Sequence, residues 1–424
     1  MLDRILSALG KCGIEDYHIV VKDEQSAELF FIKKELDMQR LKKVQTADVS
    51  VYHVFEEGDN RFRGVASVQV QDSLTQPEME KLFADAYYAA GFVKNKYYDL
   101  YEGTKVGMVQ AKDPFGEKTL NEMVQGFAQA LFAEDVYKEV FINSAEIFAS
   151  RLTIHIRNSR GVDVSYNRSR VQGEFVVQCT SGQDVETYQD FSYNGWNLDA
   201  IREKARNTIE LTRARARATT APAAGEYRLI LSGGYVNEFM SYYVNRASSF
   251  AIYQKYSTFS AGCDVQGGEV SKDRVNMTMK SNVPFSDEGI PMKNRELVKD
   301  GKLMMIHGGN RFAQYLGIAP TGNFDGYKVE AGNVSIEQMK EQPYLEVVNF
   351  SDFQMDWFTG HFGGEIRLAF LYDGKTVTPV TGGSVNGNIF EAQKSLVFSK
   401  EMQVEKDFEG PKAVAMDGIS VAGI

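Results

Sequence analysis

The side chains that most often do chemistry in enzymes are isolated from one another in this sequence. Five histidines are scattered along the chain, at His18, His53, His155, His307 and His361. None forms a His-x₃-His spacing, and the three cysteines form no Cys-x₂-Cys pair. Residues 382–386 approach a Gly-x-Ser-x-Gly nucleophile elbow but end in asparagine, and no phosphate-binding glycine loop occurs. We therefore predict no catalytic residue, no metal site and no cofactor.

The polar face of one predicted helix is the best candidate for a binding surface. A short apolar strand at residues 227–231 and a Ser-Gly-Gly turn come before it, and apolar residues then recur with helical spacing over residues 236–251. We expect that apolar stripe to be buried and continuous. The opposite face is predicted to point outward and to line a cleft with Ser241, Tyr242, Asn245 and Arg246. Arg246 would then offer donors to a peptide carboxylate or carbonyl.

His361 is the other candidate for lining a cleft. It lies within Gly360-His361-Phe362-Gly363-Gly364, a glycine-rich stretch that predicts a flexible segment. Two interpretations stay open from the residues alone, a cleft histidine or an ordinary loop histidine. The nearby carboxylates Asp356 and Glu365 are expected to be solvated.

Composition excludes several classes of protein. Hydrophobic residues make up 43% of the 424 residues and charged residues 25%, as in ordinary globular proteins. A net charge of −10 argues against a nucleic-acid partner, and no apolar run is long enough for a membrane span. Three widely spaced cysteines predict no disulfide framework, which favours the reducing cytoplasm. The one basic cluster, at residues 213–217, is expected to complement the end of a helix rather than to bind nucleic acid.

The order of predicted elements indicates two domains. Strands at residues 17–22, 27–32, 51–56 and 64–71 precede a helix that opens near Pro77, and a second helix is predicted over residues 120–137. Strands at residues 145–156, 162–166, 173–179 and 185–192 then precede a helix at 197–217, which repeats the first order. We therefore predict an α+β protein. A duplicated α/β N-terminal domain at residues 1–220 is followed by a β-rich domain at residues 225–424.

A resemblance to a known family enters with the second half of the chain. The ordered matches are Gly225-Glu226-Tyr227, Ser286-Asp287-Glu288-Gly289-Ile290-Pro291, Thr321-Gly322-Asn323, Gly387-Asn388 and Asp417-Gly418-Ile419-Ser420-Val421-Ala422-Gly423. This sequence resembles the TldD/PmbA family, also called modulators of DNA gyrase. In the TldD-type branch the helix carries His-Glu-x-x-x-His, which implies a zinc peptidase. Here that motif falls on residues 241–246, and both ligand positions differ. The resemblance is therefore to the PmbA (TldE-like) branch, which lacks the metal.

The resemblance implies a function in proteolysis without a metal of its own. The expected role is the non-metal subunit of a peptide-degrading or peptide-processing complex that takes unfolded peptides. The expected partners are a second copy when the chain is alone, and a metal-bearing TldD-like sister chain when one is present. The competing hypothesis is a self-standing interaction or regulatory protein, including modulation of DNA gyrase. We expect neither nucleic acid nor a membrane as a partner.

Overall fold

The computed structural model describes residues 1–103, 105–109 and 113–423, so residues 104, 110–112 and 424 lie outside it. The first half of the chain forms a long sheet flanked by helices. Its elements in chain order are α1 Leu2–Lys11, β1 Tyr17–Ile32, β2 Glu35–Glu57, β3 Asn60–Gln71, α2 Gln76–Ala90, β4 Lys105–Val109, α3 Leu120–Phe132, β5 Val140–Asn158, β6 Asp163–Cys179, β7 Val185–Tyr193 and α4 Leu198–Arg215.

The N-terminal sheet repeats one unit of a helix, a three-stranded meander and a helix. The order across the sheet is β3-β2-β1-β5-β6, and β4 and β7 both pair with β6. The two meanders meet where β1 pairs antiparallel with β5, from His18 opposite Asn158 to Ile32 opposite Ser144. The same order of elements therefore occurs twice in this half, and the duplication stays a prediction.

Alternation along β1 explains why every helix of this half packs on one face of the sheet. Ile19 and Val21 are buried beneath α1 and α2, and Ala27 and Leu29 are buried beneath α3 and α4. All four are odd-numbered, so they point to the same face of a strand. The predictions of separate strands at 17–22 and 27–32, and at 162–166 and 173–179, were wrong, because β1 and β6 each continue through the polar residues between them.

The second half of the chain is rich in strands, so the expected α+β class with a β-rich C-terminal half is confirmed. Its elements in chain order are β8 Gly225–Ser232, α5 Gly234–Arg246, α6 Ser249–Tyr253, β9 Met277–Lys280, β10 Arg295–Lys299, β11 Lys302–Leu303, α7 Asn310–Tyr315, β12 Gly326–Val329, α8 Ile336–Met339, β13 Tyr344–Phe350, β14 Gln354–Met355, β15 His361–Tyr372, β16 Val377–Val380, β17 Ser384–Asn388, α9 Ile389–Ala392, β18 Val397–Phe398, β19 Met402–Glu405, β20 Phe408–Pro411 and β21 Ala413–Ala422.

Two sheets of this half enclose α5. One has the order β11-β10-β9-β12-β20-β19, and the other has the order β13-β8-β21-β17-β15-β14, with β16 beside β15 and β18 beside β21. Side chains from both sheets and from α5 form one core, which includes Leu231 on β8, Met277 on β9 and Phe239 on α5. The helix is therefore held from several sides, and this decides which of its side chains can reach solvent.

The two halves are joined by hydrogen bonds between α7 and residues 95–99. Asn310 donates from Nδ2 to the Asp99 carbonyl at 2.7 Å, and Gln314 donates to the same carbonyl at 2.7 Å. The Gln314 side-chain oxygen accepts from the Asp99 N–H at 2.9 Å, and Arg311 donates to the Asn95 side chain at 3.1 Å. Within the second half, the turn at residues 286–291 supports α7, because the Glu288 carboxylate accepts from the Asn310 N–H at 2.7 Å.

No helix in the described ranges combines the length and the apolar character that a membrane crossing requires.

Candidate functional site

The frame predicted around residues 225–246 is present. β8 ends at Ser232, and Gly233 takes a φ of +66°, a left-handed conformation that glycine adopts without strain, where α5 begins. Val236, Phe239, Met240 and Tyr243 on α5 are fully buried, as the apolar stripe predicted.

The opposite face of α5 was predicted to point outward, and Tyr242 is the first residue of that face that does not. Ser241 and Asn245 are partly exposed, and the Ser241 hydroxyl donates to the Glu238 carbonyl at 2.7 Å. Tyr242 is only 1% exposed, so its expected place on an open cleft was wrong. Its ring packs edge-on against Phe259 and Phe390, at centroid distances of 6.3 and 6.2 Å. Burial follows because the loop that carries Phe259 and the short helix α9 that carries Phe390 both place aromatic rings over α5.

Arg246 is also buried, at 6% exposure, and its donors are directed into the protein. Nη1 donates to the carbonyls of Tyr256, Trp357 and Phe358, each at 3.3 Å. Nη2 donates to the Thr258 hydroxyl at 3.3 Å. The expectation that Arg246 offers these donors to a peptide was therefore wrong. Arg246 instead ties the end of α5 to the two loops that carry Tyr256 and Phe358.

No carboxylate of the described ranges neutralises this guanidinium. Within the described residues Arg246 takes part in no ion pair, and its Nε is buried without a hydrogen-bond partner. Its positive charge is balanced by carbonyl dipoles and by the rings of Tyr242 and Phe259, whose centroids lie 5.4 and 5.2 Å from Cζ. Arg246 thus places a buried cation at the position where the aligned TldD-type motif has its second histidine.

The predicted continuous stripe is interrupted after Arg246. The Ser248 hydroxyl accepts from the Ala251 N–H and caps the separate helix α6, while the Ser249 N–H donates to the His307 carbonyl at 2.7 Å. The change of direction brings Phe250 to the surface, where the unbroken stripe predicted burial.

His361 is exposed, but it does not lie on a flexible segment. It is the first residue of β15 and pairs with Asn388 on β17. A Cβ atom at Gly363 would lie 2.2 Å from the Val385 carbonyl oxygen, so glycine here allows two strands to approach closely. The expectation of a flexible stretch was wrong for this reason.

The turn before His361 is held by Asp356. The Thr359 hydroxyl donates to the Asp356 carboxylate at 2.6 Å and is the main cause that lowers the pKa of that carboxyl. The Phe358 N–H donates to the same carboxylate at 2.9 Å. Phe358 is therefore fixed on both sides, by Asp356 through its N–H and by Arg246 through its carbonyl.

Above Arg246 lies a group of exposed aromatic side chains, which we call the aromatic surface: Phe250, Tyr256, Phe358 and Phe390. Each is between 41% and 49% exposed. The ring centroid of Tyr256 lies 5.9 Å from that of Phe250 and 5.1 Å from that of Phe358. Large apolar groups clustered on a surface commonly mark a binding site for another protein. Sequence reasoning did not identify this surface, because its members come from three separate parts of the chain, at residues 250–256, 358 and 390.

Two of the remaining histidines, His155 and His307, make local polar contacts. His307 is buried, and its ring nitrogen Nε2 lies 2.9 Å from the Val244 carbonyl. His155 is about a third exposed and lies 2.7 Å from the Asp163 carboxylate. In the ranges that the structure covers, no three His, Cys, Asp or Glu side chains are grouped as metal ligands.

We expect the purified chain to hold no stoichiometric transition metal. The reason is that residues 241 and 246 are serine and arginine, and a guanidinium that stays charged in proteins repels a divalent cation. Elemental analysis after dialysis against a mild chelator tests this. About one zinc per chain would contradict it.

A polar groove on the N-terminal sheet is a second concave feature that sequence patterns did not predict. It has a volume of about 530 Å³ and is lined by residues that include Asp23, Gln25, Asp113 and Arg151. Asp113 accepts from Arg151 at 3.0 Å and from the Ser169 hydroxyl at 3.1 Å, so these polar groups are directed at one another. The groove therefore offers no evident chemistry.

Comparison with known proteins gives a family match, a sequence relative and solved structures of similar fold. Residues 224–423 match the PmbA/TldA metallopeptidase C-terminal domain. A metalloprotease of Archaeoglobus fulgidus is 22% identical, in an alignment that covers 65% of this chain and 70% of that protein. TldE of Thermococcus kodakarensis has a TM-score of 0.77 at 15% identity and covers 99% of this chain and 100% of its own.

Two other solved structures, described as candidate modulators of DNA gyrase, share the fold. The one from Thermotoga maritima has a TM-score of 0.75 at 15% identity over 99% of both chains. The one from Bacteroides thetaiotaomicron has a TM-score of 0.75 at 16% identity, over 100% of this chain and 99% of that one. At such low identity these similarities establish the fold alone.

Proposed function

We propose that this chain, which belongs to the TldD/PmbA family, is the non-metal subunit of a peptide-degrading or peptide-processing complex. Its place is in the PmbA (TldE-like) branch, and its partner is a metal-bearing TldD-like sister chain. Both work in the cytoplasm, where the free cysteines Cys12, Cys179 and Cys263 stay reduced.

The single observation that carries the proposal is the environment of Arg246. The metallopeptidase C-terminal domain is retained over residues 224–423, yet the end of its helix holds a buried arginine bonded to three backbone carbonyls of its own chain. A chain that keeps β8, the glycine turn and α5, but has a structural cation at the metal position, is suited to support the catalytic site of a partner rather than to contain one. The function left to it is to bind the chain that does the chemistry.

The aromatic surface is the part of this chain that we assign to the sister. Tyr256 and Phe358 are amphipathic or apolar rings, and Arg246 and Asp356 hold the backbone of Phe358 in place. Preorganised aromatic side chains dominate the energy of many interfaces, because little conformational entropy is lost when they dock. His361 at the start of β15 and Asn245 on α5 then line the shared cleft, in which an unfolded peptide binds in an extended form.

The test is binding to a TldD-type sister with an intact His-Glu-x-x-x-His motif, followed by cleavage of an unfolded peptide. We expect the complex to cleave the peptide and this chain alone to be inactive. The double variant Tyr256→Ala with Phe358→Ala should weaken binding by about 100-fold, since two central aromatic side chains are truncated. Calorimetry or surface plasmon resonance measures the affinity.

The matched control is Tyr88→Ala, which truncates a tyrosine that is 71% exposed on α2, in the other half of the chain. Its affinity for the sister should be unchanged. If the double variant folds and binds as the wild type does, the aromatic surface is not the interface. If the wild-type chain neither binds the sister nor alters its activity, the self-standing interaction protein becomes the better hypothesis, including the gyrase modulation for which two of the related structures are named.

A further inference from the structure

The strand β2 extends well beyond its neighbour β3. The two pair from Thr46 opposite Gln71 to Glu57 opposite Asn60, so residues 35–45 of β2 have β1 on one side only. Among the residues that the structure describes, no strand pairs with the outer edge of residues 35–45. Residues 33–43 are exposed throughout. The chain therefore presents an open edge with unpaired backbone groups along about half of β2.

This edge carries apolar side chains where proteins usually avoid them. Leu36, Met38 and Leu41 are between 44% and 67% exposed. An exposed apolar edge without proline or a covering helix is a template for pairing with another strand. A second strand is therefore the kind of occupant that this edge fits.

The charges on the edge indicate which strand that is. The first part of the edge carries Glu35 and Asp37, and the last part carries Arg40, Lys42 and Lys43. Charges that only prevent an edge strand from pairing need not be separated into an acidic part and a basic part. When a strand of this kind pairs antiparallel with an identical strand, the acidic part of each copy lies opposite the basic part of the other.

We propose that residues 35–45 pair antiparallel with the same residues of a second copy of this chain, about a two-fold axis at Gln39. In that register Glu35 lies opposite Lys43 at both ends, Asp37 lies opposite Leu41, and Met38 lies opposite Arg40. A two-fold axis perpendicular to the sheet keeps each side chain on its face, so opposed residues must both be odd or both be even.

The neighbouring registers are disfavoured by like charges. An axis at Arg40 would place the two Arg40 side chains opposite each other, and an axis at Met38 would place Lys34 opposite Lys42. In the Gln39 register no pair of like charges is directly opposed. The paired strands would join the two N-terminal sheets into one, which removes both exposed edges at once.

This inference gives an interface to the self-association proposed for the isolated chain, and in that respect it rests on the proposed function. It uses residues far from the aromatic surface in sequence and on another sheet. Experiments can therefore disprove the pairing of the β2 edge and the role of the aromatic surface independently of each other.

A charge exchange between two variants tests the register. The Glu35→Lys variant would place two lysines opposite each other at both ends of the paired strands, and the Lys43→Glu variant would place two glutamates there. Each variant alone should therefore dimerise roughly 10-fold to 100-fold more weakly than the wild type. In an equal mixture a dimer of one variant with the other again has opposite signs at both ends, so this mixed dimer should form with an affinity close to that of the wild type. Light scattering and native mass spectrometry at low micromolar concentration measure both effects.

The matched control is Asp59→Lys, a charge reversal on an exposed residue of the β2–β3 turn at the far end of the same strand, which should dimerise as the wild type does. A wild-type chain that stays monomeric at tens of micromolar, or variants that dimerise unchanged, would overturn the proposal. So would a mixture that does not recover, or a monomer whose edge binds only extended peptides. Both variants should bind the sister chain with unchanged affinity, and this separates failure of the edge from failure of the proposed function.

Discussion

Replacing Arg246 with alanine is expected to lower the free energy of unfolding by about 3–5 kcal/mol. The guanidinium is buried and satisfies the carbonyls of Tyr256, Trp357 and Phe358 together with the Thr258 hydroxyl. Alanine leaves these acceptors without donors and leaves a cavity between the rings of Tyr242 and Phe259. Chemical denaturation of the variant and the wild type measures the difference.

Two further variants separate the causes of that loss. Arg246→Met keeps most of the volume and removes the donors, so it should recover the part of the loss that comes from the cavity. Arg202→Ala is the control, because Arg202 is partly exposed on α4 and, among the residues that the structure describes, forms an ion pair only with Asp199 three residues earlier. It should change the free energy of unfolding by less than about 0.5 kcal/mol. An Arg246→Ala protein as stable as the wild type would show that the carbonyls find other donors.

The same substitution should weaken binding of the sister chain more than its effect on stability explains. Arg246 holds the backbone of Phe358 and Tyr256, and both side chains belong to the aromatic surface. Without it, the loops that carry these rings must be ordered at the moment of binding, which costs affinity. A metal in the sister chain would thus place positive charge at the end of the helix that corresponds to α5, where this chain has Arg246. In the sister that charge would serve catalysis, and here it serves the structure.

Local signals were strong enough to predict many of the elements from the sequence. Thr75 with Glu78, and Thr119 with Glu122, form capping boxes that begin α2 and α3. The turn at residues 158–161 joins β5 to β6 as a hairpin, and the predicted core face of α5 is buried. These features depend on neighbours within a few residues, which the sequence displays directly.

Features that depend on distant neighbours could not be predicted in this way. The helix α3 ends at Phe132, five residues before the predicted end at Tyr137. Tyr242 and Arg246 were placed on an outer face because the helix was treated as having one buried side. Two loops that carry Phe259 and Trp357, and the short helix α9 that carries Phe390, cover the other side. The start of β2 at Glu35 was missed because the apolar alternation of Leu36 and Met38 stops at Arg40. Pairing with β1 nevertheless extends the strand through these exposed residues.

Glu288 gives the second large effect, a dependence of stability on pH at the joint between the two halves. Burial raises the pKa of Glu288 to about 7, and the neighbouring Asp287 acts in the same direction. The Asn310 N–H and the Arg311 guanidinium act against this rise. Tyr52 and Tyr98 of the N-terminal half also face this carboxyl, and burial raises the pKa of both phenols.

The direction of this pH dependence follows from the protonation of the Glu288 carboxyl in the folded and in the unfolded chain. Its ordinary pKa is 4.5, so between about pH 4.5 and pH 7 the unfolded chain is ionised at Glu288 while the folded chain keeps the proton. The unfolded state therefore binds fewer protons, and stability falls as pH rises through this window. Below the window the contribution is fully present, and above pH 7 it is lost.

Glu288→Gln should accordingly be about as stable as the wild type near pH 5 and more stable by roughly 1–3 kcal/mol at pH 8, because glutamine is never ionised and its side-chain oxygen still accepts from the Asn310 N–H. The difference between the two proteins, measured by denaturation from pH 5 to pH 8, isolates this group from carboxylates with lowered pKa values such as Glu409, whose effect on stability has the opposite sign. Glu56→Gln, on an exposed residue of β2, is the control and should show a constant difference. A Glu288→Gln difference that is equally constant would mean that the carboxyl is already ionised in the folded chain, stabilised by Arg311 more than burial destabilises it.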